Sequence, residues 1–152
     1  MIRHLLVVLS LLLPGPLLAQ GGNGVTPEWT ERYLNAVQSK LLDGADSDHV
    51  MSFYYFGSHG ALTLMGLERV KGDDYEQFFS LMIFNGQQLE GYYQNVFSFP
   101  SGVTENGDVL FPRDVASSMN DGSAFNLTDT RALPLCQTLG GQQRCFNWVP
   151  AQ

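Results

Sequence analysis

The sequence predicts an α+β fold in which one N-terminal helix packs on a curved antiparallel β-meander of about seven strands, with a small β-barrel or a sandwich as the alternative. Three observations predict it. One capped amphipathic segment lies near the N-terminus, runs rich in aromatic and β-branched residues follow it, and glycine-containing turns separate those runs. Successive hairpins favour antiparallel pairing, because parallel strands need a crossover of a dozen or more residues.

The predicted helix begins after Thr26, whose hydroxyl can cap it, and Pro27 suits the first turn. Its apolar stripe, which Ala36 adjoins, consists of Trp29, Tyr33, Val37 and Leu41. Gly44 can end the helix in the left-handed conformation that glycine adopts readily. We expect the stripe to pack against the sheet.

The predicted strands begin at Val50 and are separated by turn residues. They cover residues 50–56, 61–70, 75–84, 89–99, 103–105, 108–111 and 124–128. The dipeptides Asn85-Gly86 and Asn106-Gly107 are typical of tight hairpin turns. Residues 114–120 are predicted to form a loop or one helical turn. Polar and apolar residues alternate from Leu89 onwards, which predicts a sheet with one buried face and one wetter face.

The chain has two cysteines, and their spacing predicts a disulfide across a hairpin. With Gly140-Gly141 as a two-residue turn, Cys136 faces Cys145 at a non-hydrogen-bonded position, where a disulfide fits. In the chain-entropy model such a short loop contributes about 2.5–3 kcal/mol. A redox pair normally has two intervening residues, and a zinc site would need two further ligands, so a structural disulfide is favoured over both.

The N-terminal residues 1–19 are predicted to be a secretory signal peptide. Arg3 precedes an apolar run at residues 5–13, and Ala19 provides a small residue at the cleavage site. The alternative, a retained membrane anchor, is disfavoured because a spanning helix needs about 20 apolar residues. Residues 20–25 are then a flexible leader and residues 26–152 a single domain. We expect a periplasmic or extracellular protein whose mature chain does not insert into a membrane.

The charge of the mature chain disfavours nucleic acid as a partner. Loss of Arg3 leaves seven basic residues against the 15 acidic ones, for a formal charge of −8. The basic residues are scattered, whereas binding to a phosphate backbone needs clustered Lys and Arg.

The sequence contains no recognisable catalytic, metal-binding or cofactor-binding motif. Only two histidines remain after signal cleavage, so a zinc or copper site is not expected. If Phe56 faces Ala61 across the first turn, His49 faces Glu68. Such a pair could transfer protons in a small hydrolase or isomerase, or it could be an ordinary surface pair.

Aromatic residues are the main positive signal for function. Tyr54-Tyr55 and Tyr92-Tyr93 are adjacent pairs, and neighbours on a strand point to opposite faces, so one tyrosine of each pair should leave the main core. Exposed tyrosines such as Tyr54 and Tyr92 suit sugar stacking or a protein interface, although β-propensity alone can also explain them.

The leading hypothesis is therefore an exported, non-enzymatic binding or accessory protein that acts through a sheet face or cleft. Its ligand would be a protein, a glycan or a small apolar molecule. A further alternative is a secreted inhibitor or immunity-type protein, in which Phe146 and Trp148 would protrude from the cysteine hairpin and plug a target. Asn126-Leu127-Thr128 also matches the acceptor pattern for N-glycosylation.

Overall fold

The computed structural model describes residues 22–44, 49–128 and 133–152; the predicted signal peptide lies outside the described residues. These residues form one α-helix and three antiparallel sheets. The largest sheet has five strands in the order β1-β2-β3-β4-β10, β5 pairs with β6, and the third sheet has the order β7-β8-β9. The elements are α1 (Pro27–Ala36), β1 (His49–His59), β2 (Leu62–Lys71), β3 (Glu76–Asn85), β4 (Gln88–Val96), β5 (Gly102–Val103), β6 (Val109–Leu110), β7 (Val115–Met119), β8 (Leu135–Leu139), β9 (Gln142–Phe146) and β10 (Trp148–Pro150), with short 3-10 turns at Gly22–Gly24 and Lys40–Leu42.

The start of the helix matches the prediction, but its end does not. The hydroxyl of Thr26 accepts a hydrogen bond of 3.1 Å from the backbone N–H of Trp29, which confirms the cap. Helix α1 ends at Ala36, and Gln38 adopts a positive φ of 50° that redirects the chain. Val37 is consequently 52% exposed, while Leu41 is buried by the following 3-10 turn. The predicted helix is therefore wrong beyond Ala36: Val37 and Leu41 do not continue its apolar stripe, and the helix does not end at Gly44.

Both faces of the five-stranded sheet are covered in its centre. On one face Leu34 of α1 packs in a cluster that includes Met82 and Tyr92. On the other face Tyr93 packs in a cluster that includes Leu135 and Phe146 of the three-stranded sheet. The predicted wetter face is wrong, because a second sheet covers it and an irregularity at Ile83/Phe84 places Leu89 and Tyr93 in opposite layers.

Several strands differ from the prediction. Residues 114–120 are neither a loop nor a helical turn, since Val115–Met119 forms β7 and pairs with β8. Residues 124–128 form only one bridge, between Asp108 and Asn126. The C-terminal strand β10 returns to the first sheet and pairs with β4. A four-stranded meander with a C-terminal fifth strand, and two separate small sheets, thus replace a single meander of about seven strands.

The cysteine hairpin has the predicted register. Gly140 and Gly141 both have positive φ angles, 57° and 79°. Cys136 pairs with Cys145 across β8 and β9, their Cα atoms lie 3.9 Å apart, and the two sulfurs are bonded. The two ends of the five-stranded sheet, β1 and β10, do not pair with each other among the described residues, so this sheet is open.

The described part of the predicted leader packs on the domain. Val25 is fully buried, and the side chain of Asn23 donates hydrogen bonds to the carbonyl of Gly60 and to the hydroxyl of Thr63. Across residues 22–44, 49–128 and 133–152, no helix has the length and apolar character that crossing a membrane requires.

Candidate functional site: an aromatic shelf with a polar rim

Four aromatic side chains lie together on the sheet face opposite α1, close to the edge strand β1. We call this group the aromatic shelf; its members are Tyr54, Phe56, Phe79 and Phe99. Tyr54 is 38% exposed, and the other three rings are partly exposed. The shelf adjoins the buried cluster beneath the three-stranded sheet, so its inner side is fixed by the core while its outer side reaches solvent.

Phe99 is the centre of the shelf. The centroid of its ring lies 5.4 Å from that of Tyr54, 5.0 Å from that of Phe56 and 4.7 Å from that of Phe79. The rings of Tyr54 and Phe56 are within 13° of parallel, with centroids 6.3 Å apart. These separations fall in the range in which aromatic pairs stabilise one another. The shelf is therefore a fixed surface rather than a set of independent side chains.

Gly66 allows the rings to lie directly on the sheet. It sits opposite Tyr54 in the register of β1 and β2. A Cβ atom at Gly66 would lie 2.6 Å from the ring of Phe56 and 2.9 Å from that of Phe99. Sequence reasoning missed this residue, although a glycine inside an otherwise apolar strand is a recognised sign of close approach.

Glu68 and Gln77 form a polar rim beside Tyr54. The hydroxyl of Tyr54 donates a 2.6 Å hydrogen bond to Oε2 of Glu68, and Nε2 of Gln77 donates a 3.1 Å bond to Oε1. The bond to Glu68 raises the pKa of Tyr54 above its usual value, and burial and the charge of Glu68 act in the same direction, while Ser52 opposes them. An ionised carboxylate has about four acceptor sites, so both oxygens retain capacity for a ligand.

Replacing Glu68 with glutamine should lower the pKa of Tyr54 towards the ordinary tyrosine value of about 10. The neutral amide weakens the hydrogen bond that favours the protonated phenol, and it removes the charge that disfavours the phenolate. NMR titration with tyrosine labelled at Cζ measures this directly, with Tyr54→Phe to assign the signal. Glu76→Gln removes the same charge from the start of β3 and serves as the matched control. An unchanged Tyr54 titration in Glu68→Gln would contradict the assigned hydrogen bond.

The predicted pairing of His49 with Glu68 is wrong. The register places His49 opposite Lys71 and Ser52 opposite Glu68. Strand β1 continues to His59, beyond the turn predicted at residues 57–60, and a bulge between Tyr55 and Gly57 adds a further shift. Directly opposed residues share a face, so His49 and Glu68 lie on opposite faces of the sheet. The hydrolase or isomerase hypothesis loses the pair on which it rested.

A hollow adjoins the shelf and the rim; it shares Phe79 with the shelf and Gln77 with the rim. Its volume is about 360 Å³. Its lining consists of Gln77, Phe78, Phe79, Asn95, Val96, Phe97 and Arg144. The guanidinium of Arg144 lies 5.3 Å from the ring centroid of Phe146 and brings a positive charge to the hollow. Shelf, rim and hollow together provide ring faces, a carboxylate, amides and one cation.

The aromatic residues of the C-terminal hairpin do not protrude as predicted. Phe146 is only 4% exposed and packs edge-to-face on Phe97. The ring of Trp148 lies edge-to-face on Tyr93, with centroids 5.1 Å apart, and it covers Gly91. Both side chains pack on the core because β9 and β10 pack on β4, so neither protrudes in the way that the inhibitor hypothesis expects.

The adjacent tyrosine pairs also differ from the prediction. Tyr54 and Tyr55 are both exposed, at 38% and 39%, whereas Tyr92 and Tyr93 are both buried, at 5% and 1%. The reason is that β4 is covered on both faces and the edge strand β1 is incompletely covered on both.

Tyr92 lines a second groove, of about 230 Å³, between the end of α1 and the C-terminal strand. Burial raises the pKa of Tyr92, and the charge of Asp43 raises it further. The groove is lined by Tyr33, Val37, Gln38, Ser39, Lys40, Leu89, Tyr92 and residues 149–152. It carries fewer fixed aromatic and charged groups than the shelf and its hollow.

The side chain of Asn126, in the predicted glycosylation triplet, is engaged within the fold. Its Nδ2 donates to the carbonyl of Asn106 at 3.2 Å and to Oδ1 of Asp108 at 2.6 Å, and its Oδ1 accepts from the backbone N–H of Thr128 at 2.6 Å. Asn126 thus ties the β5–β6 turn to the following segment. In the described part of the chain, no three His, Cys, Asp or Glu residues come together in an arrangement that could hold a metal ion.

Comparison with known proteins gives no relative: no protein-family model, no curated protein and no solved structure matches this chain.

Proposed function

We propose that this protein is an exported binding protein that holds a glycan on the aromatic shelf. The observation that carries the proposal is the combination of four fixed, partly exposed rings with the Glu68 carboxylate beside them. Export is supported by the signal-like N-terminus and by the disulfide between Cys136 and Cys145.

The rings supply the apolar part of glycan recognition. The face of an aromatic ring is electron-rich, so it attracts the weakly positive C–H groups that line one side of a sugar ring. Tyr54 and Phe56 present nearly parallel rings with centroids 6.3 Å apart. Gly66 and the neighbouring core hold Phe56 and Phe99 in place, so little entropy of these side chains is lost when a ligand binds.

The rim favours a glycan over a protein partner. The cores of protein interfaces are rich in aromatic residues but depleted of glutamate. Here Glu68 lies directly beside the rings and is oriented by two hydrogen bonds. Its oxygens can accept from sugar hydroxyls, the Gln77 amide can both donate and accept, and the hollow offers Arg144 as a further donor. A mainly apolar surface with a few placed polar groups is the usual composition of a small-ligand site.

Tyr54→Ala is expected to weaken glycan binding about tenfold, which corresponds to ~1.4 kcal/mol. The substitution removes one ring of the shelf and the donor to Glu68. Binding is measured first by cosedimentation of the mature protein with cellulose, chitin, β-glucan and peptidoglycan, and then by calorimetry with soluble oligosaccharides of the polymer that binds.

Tyr55→Ala is the matched control. Tyr55 is the next residue on β1 and is 39% exposed, but it faces Met65 and therefore lies on the α1 side of the sheet. The affinity of Tyr55→Ala for the glycan should stay within about twofold of that of the wild type, as expected for a side chain outside the site. Failure of all the polymers to bind, or equal losses in the two variants, would refute the proposal.

A further inference from the structure

We propose that strand β1 pairs with β1 of a second copy of this chain, so that two five-stranded sheets join edge to edge. Among the described residues only β2 pairs with β1, which makes β1 one edge of the sheet. Near its end β1 is covered, because the side chain of Val103 closely approaches Gly57. Residues 50–54 precede the bulge and keep a regular register with β2. An edge strand presents unpaired main-chain groups that another strand can satisfy.

Apart from the bulge between Tyr55 and Gly57, β1 lacks the features that protect edge strands of monomers. Such strands are usually short, or they carry charged residues or proline. The opposite edge of this sheet follows that rule, since β10 has three residues and ends at Pro150. Strand β1 has 11 residues, and residues 50–58 contain no Lys, Arg, Asp, Glu or Pro. The two edges therefore differ in the way expected if only β1 meets another strand.

The exposed side chains of β1 complement a second copy of themselves. A two-fold axis at Ser52 places Val50 opposite Tyr54 of the second copy, and Met51 opposite Phe53. Val50 is 66% exposed and Tyr54 38% exposed, so each covers apolar surface of the other. Pairs of an aromatic with a β-branched residue are favourable cross-strand neighbours. Because the paired segment is uncharged, the acidic character of the chain brings no like charges together at the seam.

This pairing goes beyond glycan binding, and Tyr54 belongs to both the shelf and the seam. Antiparallel strands related by a two-fold axis normal to the sheet keep the same face in both copies. The two aromatic shelves would then lie on one side of a ten-stranded sheet. Two sites on one surface can bind a polymer with higher avidity than either site alone.

The test uses the mature protein and two cysteine variants. Sedimentation velocity of the wild type over a thousandfold concentration range should show a reversible monomer–dimer equilibrium. Ser52→Cys places two thiols directly opposite one another on the two-fold axis, within the range of a disulfide. The wild type has no free cysteine among its described residues, so mild oxidation should crosslink this variant through the new thiols alone.

Val50→Cys is the control for register. In the proposed pairing the two thiols lie four residues apart along the strands, about 13 Å, and should not crosslink.

Val50→Lys should raise the dissociation constant of the dimer at least tenfold, while the circular dichroism spectrum stays unchanged. Three outcomes would overturn the proposal: a wild type that is monomeric at every concentration, equal crosslinking of both cysteine variants, or a dimer that Val50→Lys leaves intact. If the wild type is monomeric, the edge at β1 is free to pair with an extended segment of another protein instead.

Discussion

Replacement of Gly91 by alanine is expected to lower the free energy of unfolding by about 3 kcal/mol, at the upper end of the usual cost of overpacking. A Cβ atom there would lie 2.4 Å from Cζ2 of Trp148 and 2.5 Å from the carbonyl oxygen of Val149. The second contact is with backbone, so a change of rotamer cannot relieve it. Strand β10, which pairs with β4 at Gly91, must shift. Urea denaturation followed by tryptophan fluorescence measures the loss.

Gly102→Ala is the control for this prediction. Neither Gly91 nor Gly102 has a positive φ, so alanine strains the backbone at neither position. A Cβ atom at Gly102 would have its nearest contact at 3.7 Å, with the carbonyl oxygen of Phe56, which is an ordinary distance. Gly102→Ala should change the free energy of unfolding by no more than about 0.5 kcal/mol. If the two substitutions cost the same, the fit of Trp148 over Gly91 is not what holds β10 on the sheet.

Local chemistry explains which parts of the fold could be predicted from the sequence. The Thr26 cap, the Asn85-Gly86 hairpin and the turn at Gly140-Gly141 each depend on a few adjacent residues, and each is present. The register of β1 on β2 could not be predicted in this way. Gly57 has a φ of 147° at a bulge, and Val103, a residue distant in sequence, packs against it. A composition that resembles a turn is here part of a strand, because tertiary contact overrides local preference.

The same distinction applies to the candidate site. Tyr54 and Glu68 were both identified from the sequence, Tyr54 as an exposed tyrosine and Glu68 as a partner for His49. The structure joins these two to each other, because β1 and β2 place Tyr54 and Glu68 two positions apart on the same face. The sequence pattern predicts a strand that extends to Phe99, whereas β4 ends at Val96. The chain then leaves the sheet and brings Phe99 back over Gly66, a long-range contact without a local signal.

Removal of the disulfide should lower the free energy of unfolding by about 2.5–3 kcal/mol, because the unfolded chain regains the entropy that closure of the loop removes. The double variant Cys136→Ala/Cys145→Ala tests this by urea denaturation. Leu135 and Phe146, the pair next to the cysteines in the β8–β9 register, are buried in the core, so the hairpin should still form. Wild type in reductant should lose the same amount, and the double variant should not respond to reductant.

Beyond this global loss, the β8–β9 hairpin itself should open more readily, as expected for a structural disulfide rather than a redox-active one. Cys145 lies between Arg144 and Phe146. The side chain of Arg144 borders the hollow, and the ring of Phe146 packs on Phe97. Hydrogen exchange of the double variant should quicken most at residues 135–146, where local opening of the hairpin becomes easier, while amides of β2 and β3 that exchange only by global unfolding should quicken by about 100-fold, the factor that corresponds to 2.5–3 kcal/mol. Equal acceleration at residues 135–146 and in the central sheet would mean that the hairpin opens only when the whole domain unfolds. Full stability of the reduced wild type would mean that the bond serves another purpose.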